Sequence, residues 1–203
     1  MSAWQPFFGK GSLIYKFPNL RAIKELTEAE IVYRCMQQDT LAQNELYRRY
    51  AGKMMGVCMR YARNRDSAAD IMQDGFVKVF INLKSFKGEG SFEGWIRRIM
   101  INTALKQYQK DLKFKQHVAI ETAYSVSFEN SVISNLTAKE LMQHVQQLPD
   151  GYRTIFNLYV VEGYQHNEIG EMLRISEGTS KSQLSRARNY LMQLIKKDTS
   201  SYQ

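Results

Sequence analysis

From Gly178 to Lys197 the chain carries five cations and no acid. Leu184, Ala187, Leu191 and Leu194 recur there at helical spacing, and the opposite face carries Lys181, Ser182, Ser185, Arg186 and Asn189. Such a helix would bury its apolar stripe and leave guanidinium, ammonium and hydroxyl groups outside. Those groups suit the major groove of DNA: Arg and Lys donate to guanine, Ser adapts to several bases, and a helix fits the groove's width. Small side chains at Ser182 and Ser185 let the backbone come close. Just upstream, Ile169, Met172 and Leu173 mark a short helix, and Ile175 to Gly178 mark a turn. The paired helices and their turn give the outline of a helix-turn-helix, with Thr179, Lys181, Ser182, Ser185, Arg186 and Arg188 as its DNA-contacting candidates. A merely solvated cationic face is the competing reading, and the turn argues against it.

Other reactive groups are sparse. Cys35 and Cys58 are the only cysteines, neither close to a second Cys or a His at ligand spacing, so they read as small core residues in a reducing cytoplasm. His117, His144 and His166 stand alone, with no HExxH, no GxSxG and no phosphate-cradling glycine loop. No catalytic residue, metal, cofactor or small-molecule substrate is expected. A second basic run, Leu46 to Arg65, holds Arg48, Arg49, Lys53, Arg60, Arg63 and Arg65 without an acid, and could meet duplex phosphate.

The elements that must position these groups are helical. The 203 residues are 44% apolar with only three prolines, so real cores are expected, and the net charge of +8 favours a polyanionic partner. No apolar run approaches the ~20 residues that would cross a membrane. Leu26-Thr27-x-x-Glu30-Ile31 and Leu136-Thr137-x-x-Glu140-Leu141 are two copies of one start device, a capping box beside a hydrophobic staple. After the first, a stripe of Leu46, Tyr50, Met54, Val57 and Tyr61 predicts a helix over 40–63. Asp66 or Ser67 should cap a second, with Ile71, Met72, Phe76, Val79, Phe80 and Leu83 inward. SFKGEGSF interrupts, and Ser91 caps a third carrying Trp95, Ile96, Ile99 and Leu105. Periodicity fades over 111–135, which reads as a linker. Helices are expected again near 137–147, 151–161, 166–173 and 178–196. The expected architecture is all-α, two small helical domains joined by a flexible linker. An N-terminal extension over 1–25 lacks the form of a signal peptide and should be poorly ordered, the first domain covers 26–110, and the helix-turn-helix domain covers 136–203.

Taken together, LPDGYRTIFNLYVVEGYQHNEIGEMLRISEGTSKSQLSRAR resembles the fourth conserved region of extracytoplasmic-function sigma factors. DSAADIMQDGFVKVF followed by SFEGWIRRIMINTAL resembles their second region. The resemblance spans roughly 26–110 and 136–196, and both halves in this order are highly specific. It implies a non-enzymatic, cytoplasmic bacterial protein that binds core RNA polymerase and promoter DNA, with an anti-sigma factor as a further partner. By position it implies that Asp70, Gln73, Asp74 and Lys78 face polymerase. It further implies that the SFKGEGSF loop and the helix after it recognise the downstream (−10) element and capture an extruded base. Phe86, Phe92, Arg97, Arg98, Asn102 and Lys106 are the candidates there, since open DNA is held by stacking and phosphate contact. Gly88 and Gly90 permit the backbone angles of a tight pocket, and Trp95 is expected to anchor the core. The upstream (−35) element falls to the helix-turn-helix.

Four positions depart from the family's usual pattern. Lys106 stands where an acid is common, Gln109 near a usual arginine, Gln165 at a usual serine cap, and Gly170 at a usual alanine. The glycine should weaken its helix by about 1 kcal/mol. The rival is a simple helix-turn-helix regulator with a dimerisation or sensory module, which has no need of the IMQDGF and SFEGWIRRI pair.

Overall fold

A computed structural model of the chain describes residues 23–115 and 137–200; the expected N-terminal extension and most of the expected linker lie outside them. Among the described residues there are helices and no strands. In chain order they are α1 (Glu28–Met36), α2 (Thr40–Tyr61), α3 (Arg65–Asn82), α4 (Phe92–Lys115), α5 (Ala138–Gln146), α6 (Asp150–Phe156), α7 (His166–Leu173) and α8 (Glu177–Ser200). A 3₁₀ turn, Leu83–Ser85, follows α3, and a π-helical turn, Asn157–Val161, extends α6.

Both expected capping boxes form. Thr27 and Thr137 each accept the amide three residues on, while Glu30 and Glu140 reach back at 2.8 Å to the cap amides. α3 is capped two or three residues earlier than expected: Asn64 Oδ1 accepts the Ser67 amide at 2.8 Å, so neither Asp66 nor Ser67 is the cap. Ser91 caps α4 as expected, accepting from Gly94 at 3.0 Å. α4 runs on to Lys115, so 111–115 are helical rather than linker.

Chain contacts divide between Leu46 and Tyr47, inside α2. In the first unit Ile31, Val32, Cys35, Ala42 and Leu46 are buried, and Asp39 Oδ1 caps α2 through the Leu41 and Ala42 amides at 2.9 and 3.3 Å.

The second unit contains two helical blocks. In the first, α3 packs on α4 with Ile71, Met72, Phe76, Val79 and Leu83 against Phe92, Ile96, Met100, Ile101 and Leu105. Gly75 lets the two helices touch, because a Cβ there would collide with Met100 Sδ, itself fully buried. In the second block α8 is the platform for α6 and α7, burying Leu184, Ala187, Leu191 and Ile195 beside Ile155, Leu158 and Ile169. Arg153, 5% exposed, holds the bend between α5 and α6: its guanidinium donates to Gln146 O, Leu148 O and Asp150 Oδ1 at 3.2, 3.3 and 2.9 Å.

Two outcomes follow from this packing. Gly75→Leu must displace the buried Met100 thioether or part the two helices and should cost about 1–3 kcal/mol, read as a lower urea midpoint; an unchanged midpoint would contradict the close approach. Burial pushes the Cys58 thiol from 9.0 up to about 12 and Cys35 to about 11. Both folded values lie above the unfolded one. The stability of the buried thiols is therefore intact below pH 9.0 and is lost as pH rises from there toward about 12. Urea titrations on either side of pH 9.0 should show the loss, and thiol labelling of the folded protein at neutral pH should be slow.

Candidate nucleic-acid interface

The C-terminal helix pair is set by its turn. α7 ends on Arg174 in the left-handed conformation (φ 58°), and the Ile175 amide returns to Gly170 O at 3.0 Å. A Cβ at Gly170 would lie 2.9 Å from Ile175 O, so the glycine expected only to weaken the helix also admits a close turn. Gln165 stands where a serine cap was expected, and half the device survives: Glu168 accepts the Gln165 amide at 2.7 Å. Ser176 Oγ then caps α8 through the Thr179 amide at 3.0 Å. His166 is not an isolated polar group. Its Nδ1 meets the buried Ser180 Oγ at 2.9 Å and Tyr159 stacks on its ring, pinning the start of α7 to α8. Burial and the nearby Lys181 lower its pKa.

On α8 the outward residues Lys181, Ser182, Arg186 and Arg188 are exposed, and Ser185 and Thr179 are half-buried. Lys181 pairs with Glu177 at 2.6 Å, and Thr179 Oγ1 bonds Ser176 Oγ at 2.8 Å. The helix thus presents a cationic and hydroxylic strip over its first three turns, buried on the opposite side through Leu184 and Ala187.

Residues expected at the downstream element separate into three groups. Arg98, Asn102 and Lys106 are exposed at four-residue intervals, one stripe along α4. Phe92 is 1% exposed, its ring stacked on Trp95 and edge-on to Tyr50, so it is core and presents no free stacking surface. Phe86 is half-buried, 5.0 Å from Phe92 and 5.6 Å from Trp95, and closes this aromatic cluster from the loop side. Trp95, half-buried on Phe92, is the anchor it was expected to be. The loop between carries the positive φ expected of Gly88 (76°) and Gly90 (77°). Arg97 stands apart, with its guanidinium on Glu162 at 2.6 and 2.9 Å.

Along α3, Asp70, Gln73 and Asp74 are exposed. Lys78 instead turns to α4, donating to Thr103 Oγ1 at 3.0 Å. Asp70, Asp74 and Lys78 line one wall of a cleft of about 290 Å³ closed by Thr103, Tyr108 and Asp150. Sequence reasoning missed Val77 (53% exposed) and Ile81 (73%), which continue the outer edge of α3. Their signal was available, since they fall off the inward stripe at i, i+4.

The basic run at the end of α2 is also partly engaged. Lys53 pairs with Glu93 at 2.5 Å, Arg60 with Glu162 at 3.1 Å, and Arg63 with Asp150 at 2.5 Å. Glu162 and Asp150 were not singled out from sequence, because their partners lie far away along the chain.

Comparison with known proteins agrees with this arrangement. Residues 46–113 match the family described as Sigma-70 region 2, and residues 138–191 match Sigma-70, region 4. The chain is 30% identical over 181 residues to the ECF RNA polymerase sigma-E factor of Haemophilus influenzae, covering 83% of this chain and 95% of that one. It is 31% identical over 159 residues to the ECF RNA polymerase sigma factor SigW of Bacillus subtilis, covering 72% and 85%. Among solved structures, the sigma factor RpoE in complex with the anti-sigma factor NepR from Bartonella quintana aligns with a TM-score of 0.47 at 22% identity, covering 75% of this chain and 96% of that one. CnrH in complex with the cytosolic domain of CnrY aligns at 0.44 and 18%, covering 83% and 97%. With region 2 on α2–α4, region 4 on α5–α8 and relatives matched over nearly their whole length, the chain belongs to the extracytoplasmic-function group of the sigma-70 family.

Proposed function

We propose that the chain binds core RNA polymerase and directs promoter-specific initiation, with each block reading one promoter element. The observation that carries this most strongly is the α7–α8 pair: a left-handed turn at Arg174, a hydroxyl-capped α8, Lys181, Ser182 and Arg186 exposed on the side away from its core, and Arg188 exposed at the flank of that core. Such a helix enters the major groove by its N-terminal half, where Arg186 can reach a base edge and Arg188 a phosphate. Thr179 and Ser185 contribute at the margin of the same strip.

At the downstream element the stripe of Arg98, Asn102 and Lys106 is the surface available to the DNA backbone and base edges, and Arg97 joins it once its acid leaves. Phe92 supports this surface from below. The loop from Lys87 to Ser91, exposed and held at its base by Phe86, is the candidate pocket for an extruded base.

Polymerase docks on the outer edge of α3, where Asp70, Gln73 and Asp74 supply polar contacts and Val77 and Ile81 supply apolar area. Exposed aliphatic side chains beside charged ones mark a surface that a partner covers. An anti-sigma factor, the partner named for the solved relatives, would compete for this edge. No helix among the described residues is long and apolar enough to cross a membrane. A role on promoter DNA calls for a cytoplasmic protein.

Three substitutions test the assignment. Arg186→Ala should cost about 1–3 kcal/mol on the preferred sequence and relax one base position in a binding-site selection. Arg188→Ala should weaken binding evenly across sequences and reduce the salt slope by about 1. An unchanged sequence preference in the Arg186 variant would remove that residue from the reading face. Ile81→Asp should weaken holoenzyme assembly in a polymerase pull-down while leaving the circular dichroism and the isolated chain's affinity for duplex DNA unaltered. Assembly at the native level would move the docking site off α3.

A further inference from the structure

His166, the histidine of the helix-turn-helix, opens α7. Its ring lies nearly flat on Tyr159, centroids 4.4 Å apart and planes 18° from parallel, and its Nδ1 meets Ser180 Oγ at 2.9 Å. Ser180 is 0% exposed and ends the first turn of α8 between Thr179 and Lys181, two members of the cationic and hydroxylic strip. α7 and α8 are thus fastened twice. The left-handed turn at Arg174 joins the end of one to the start of the other, and the His166–Ser180 bond ties their opening turns together. The second joint sets the roll of α8 about its own axis, and with it the direction in which Lys181 and Arg186 project.

We infer that His166 is the positioning residue of the reading helix and that it takes up a proton when duplex DNA binds. The inference rests on the reading of α8 as the upstream-element helix. Positioning follows from burial. Without the imidazole, the Ser180 hydroxyl would lie in the core with that partner gone, and α8 would have to shift to find another. The proton follows from charge. From α8, Lys181 and Arg188 oppose the imidazolium and Glu177 favours it; Tyr159 faces the ring from the π turn, and Glu168 on α7 itself is engaged by the Gln165 amide. Burial, then Lys181, holds the pKa below 6.5, so the ring is neutral in the free protein at neutral pH. Phosphates that engage Lys181 and Arg188 cancel the charges opposing protonation, and they draw Lys181 from Glu177, its partner at 2.6 Å. The stacked Tyr159 face favours a cation as well. Ser180 Oγ can donate to an unprotonated Nδ1 or accept from a protonated one, so the tie holds in both states. Because the bound ring holds its proton more firmly than the free one, affinity grows as pH falls through the free value.

The test measures duplex binding by the full-length chain with core polymerase present, each variant first shown by thermal melting to be folded. One duplex carries the upstream element that the wild type selects, and the other carries it scrambled. His166→Phe keeps a ring on Tyr159 but loses the bond, and Ser180→Ala loses the bond from the other side. Each should lower the selected-to-scrambled affinity ratio about tenfold, and the double variant should lower it no further. His166→Gln, whose amide can again meet Ser180, should recover most of the ratio without titrating. From about pH 8 to about pH 5 the wild type should gain about threefold to tenfold in affinity for both duplexes, with a salt slope steeper by about 0.9. The His166→Gln variant should show neither change. An undiminished ratio in folded Ser180→Ala, or losses that add in the double variant, would refute the positioning role. The wild-type gain at low pH persisting in His166→Gln would assign the proton to another group and overturn the coupling. A wild type that selects no sequence would bring down the reading of α8 and the inference with it. A selecting wild type whose variants select equally well sinks the inference alone.

Discussion

An all-helical chain has to find partners for four amides and four carbonyls at every helix end, and in this protein that requirement decides which residues appear where. At the N-termini the answer is local. Thr27, Asn64, Ser91, Thr137 and Ser176 each sit one position outside a helix and turn a side-chain oxygen onto an amide three residues on. At the C-termini it is partly local, as where the Ile175 amide returns to Gly170 O, and partly made by side chains from further away. Arg153 collects the carbonyls of Gln146 and Leu148, and Gln146, Asn157 and Gln109 reach across the blocks to those of Met59, Arg60 and Met172. N-caps therefore define the elements, while the carbonyl partners define how the elements assemble.

The same division explains what could be read in advance. Both capping boxes form where the sequence places them, and the inward stripes of α3 and α8 do so in the main, with Phe80 and Leu194 only half-buried and Ile195 taking the last buried place on α8. The two glycines of SFKGEGSF adopt the positive φ their spacing suggested. Misreadings arose where a residue had two local options or a distant partner. Asn64 outcompeted Asp66 and Ser67 because its Oδ1 sits one residue before the first helical turn. Phe92 was expected on a DNA surface, but its position directly after the Ser91 cap aims the ring under the loop into the aromatic core. Nothing near VVEGY announces that Glu162 will meet Arg97 and Arg60, since those partners are 65 and 102 residues away in sequence.

Gln109 and Gly170 show how a departure from a family pattern acquires a physical reason. An arginine near position 109 would carry a charge into a site where an amide now donates to a helix-end carbonyl. An alanine at 170 would bring a methyl within 2.9 Å of the Ile175 carbonyl oxygen. Both residues adjoin the C-terminal end of α7. The helix-turn-helix of this chain is thus tuned together with the surface it rests on, and the about 1 kcal/mol of helix propensity given up at Gly170 accompanies a tighter turn.

The seam between the two blocks of the second unit is rich in ion pairs and amide hydrogen bonds. Separating an apolar face would expose a contiguous sticky patch at the moment the chain has no partner. Asp150, Glu162, Arg60, Arg63 and Arg97 can instead exchange each other for water, and the arginines can exchange carboxylate for phosphate with the same donors. Burying Glu162 carries a desolvation cost that three guanidinium donors offset only while the geometry holds. Such a cluster is specific when closed and loses its advantage once one arginine is drawn away. Val77 and Ile81 are two of several exposed apolar side chains, with Tyr33 and Val160 among the others, and they lie on the outer edge of α3. Charged and amide groups thus hold the two blocks together, while aliphatic side chains of α3 stay exposed.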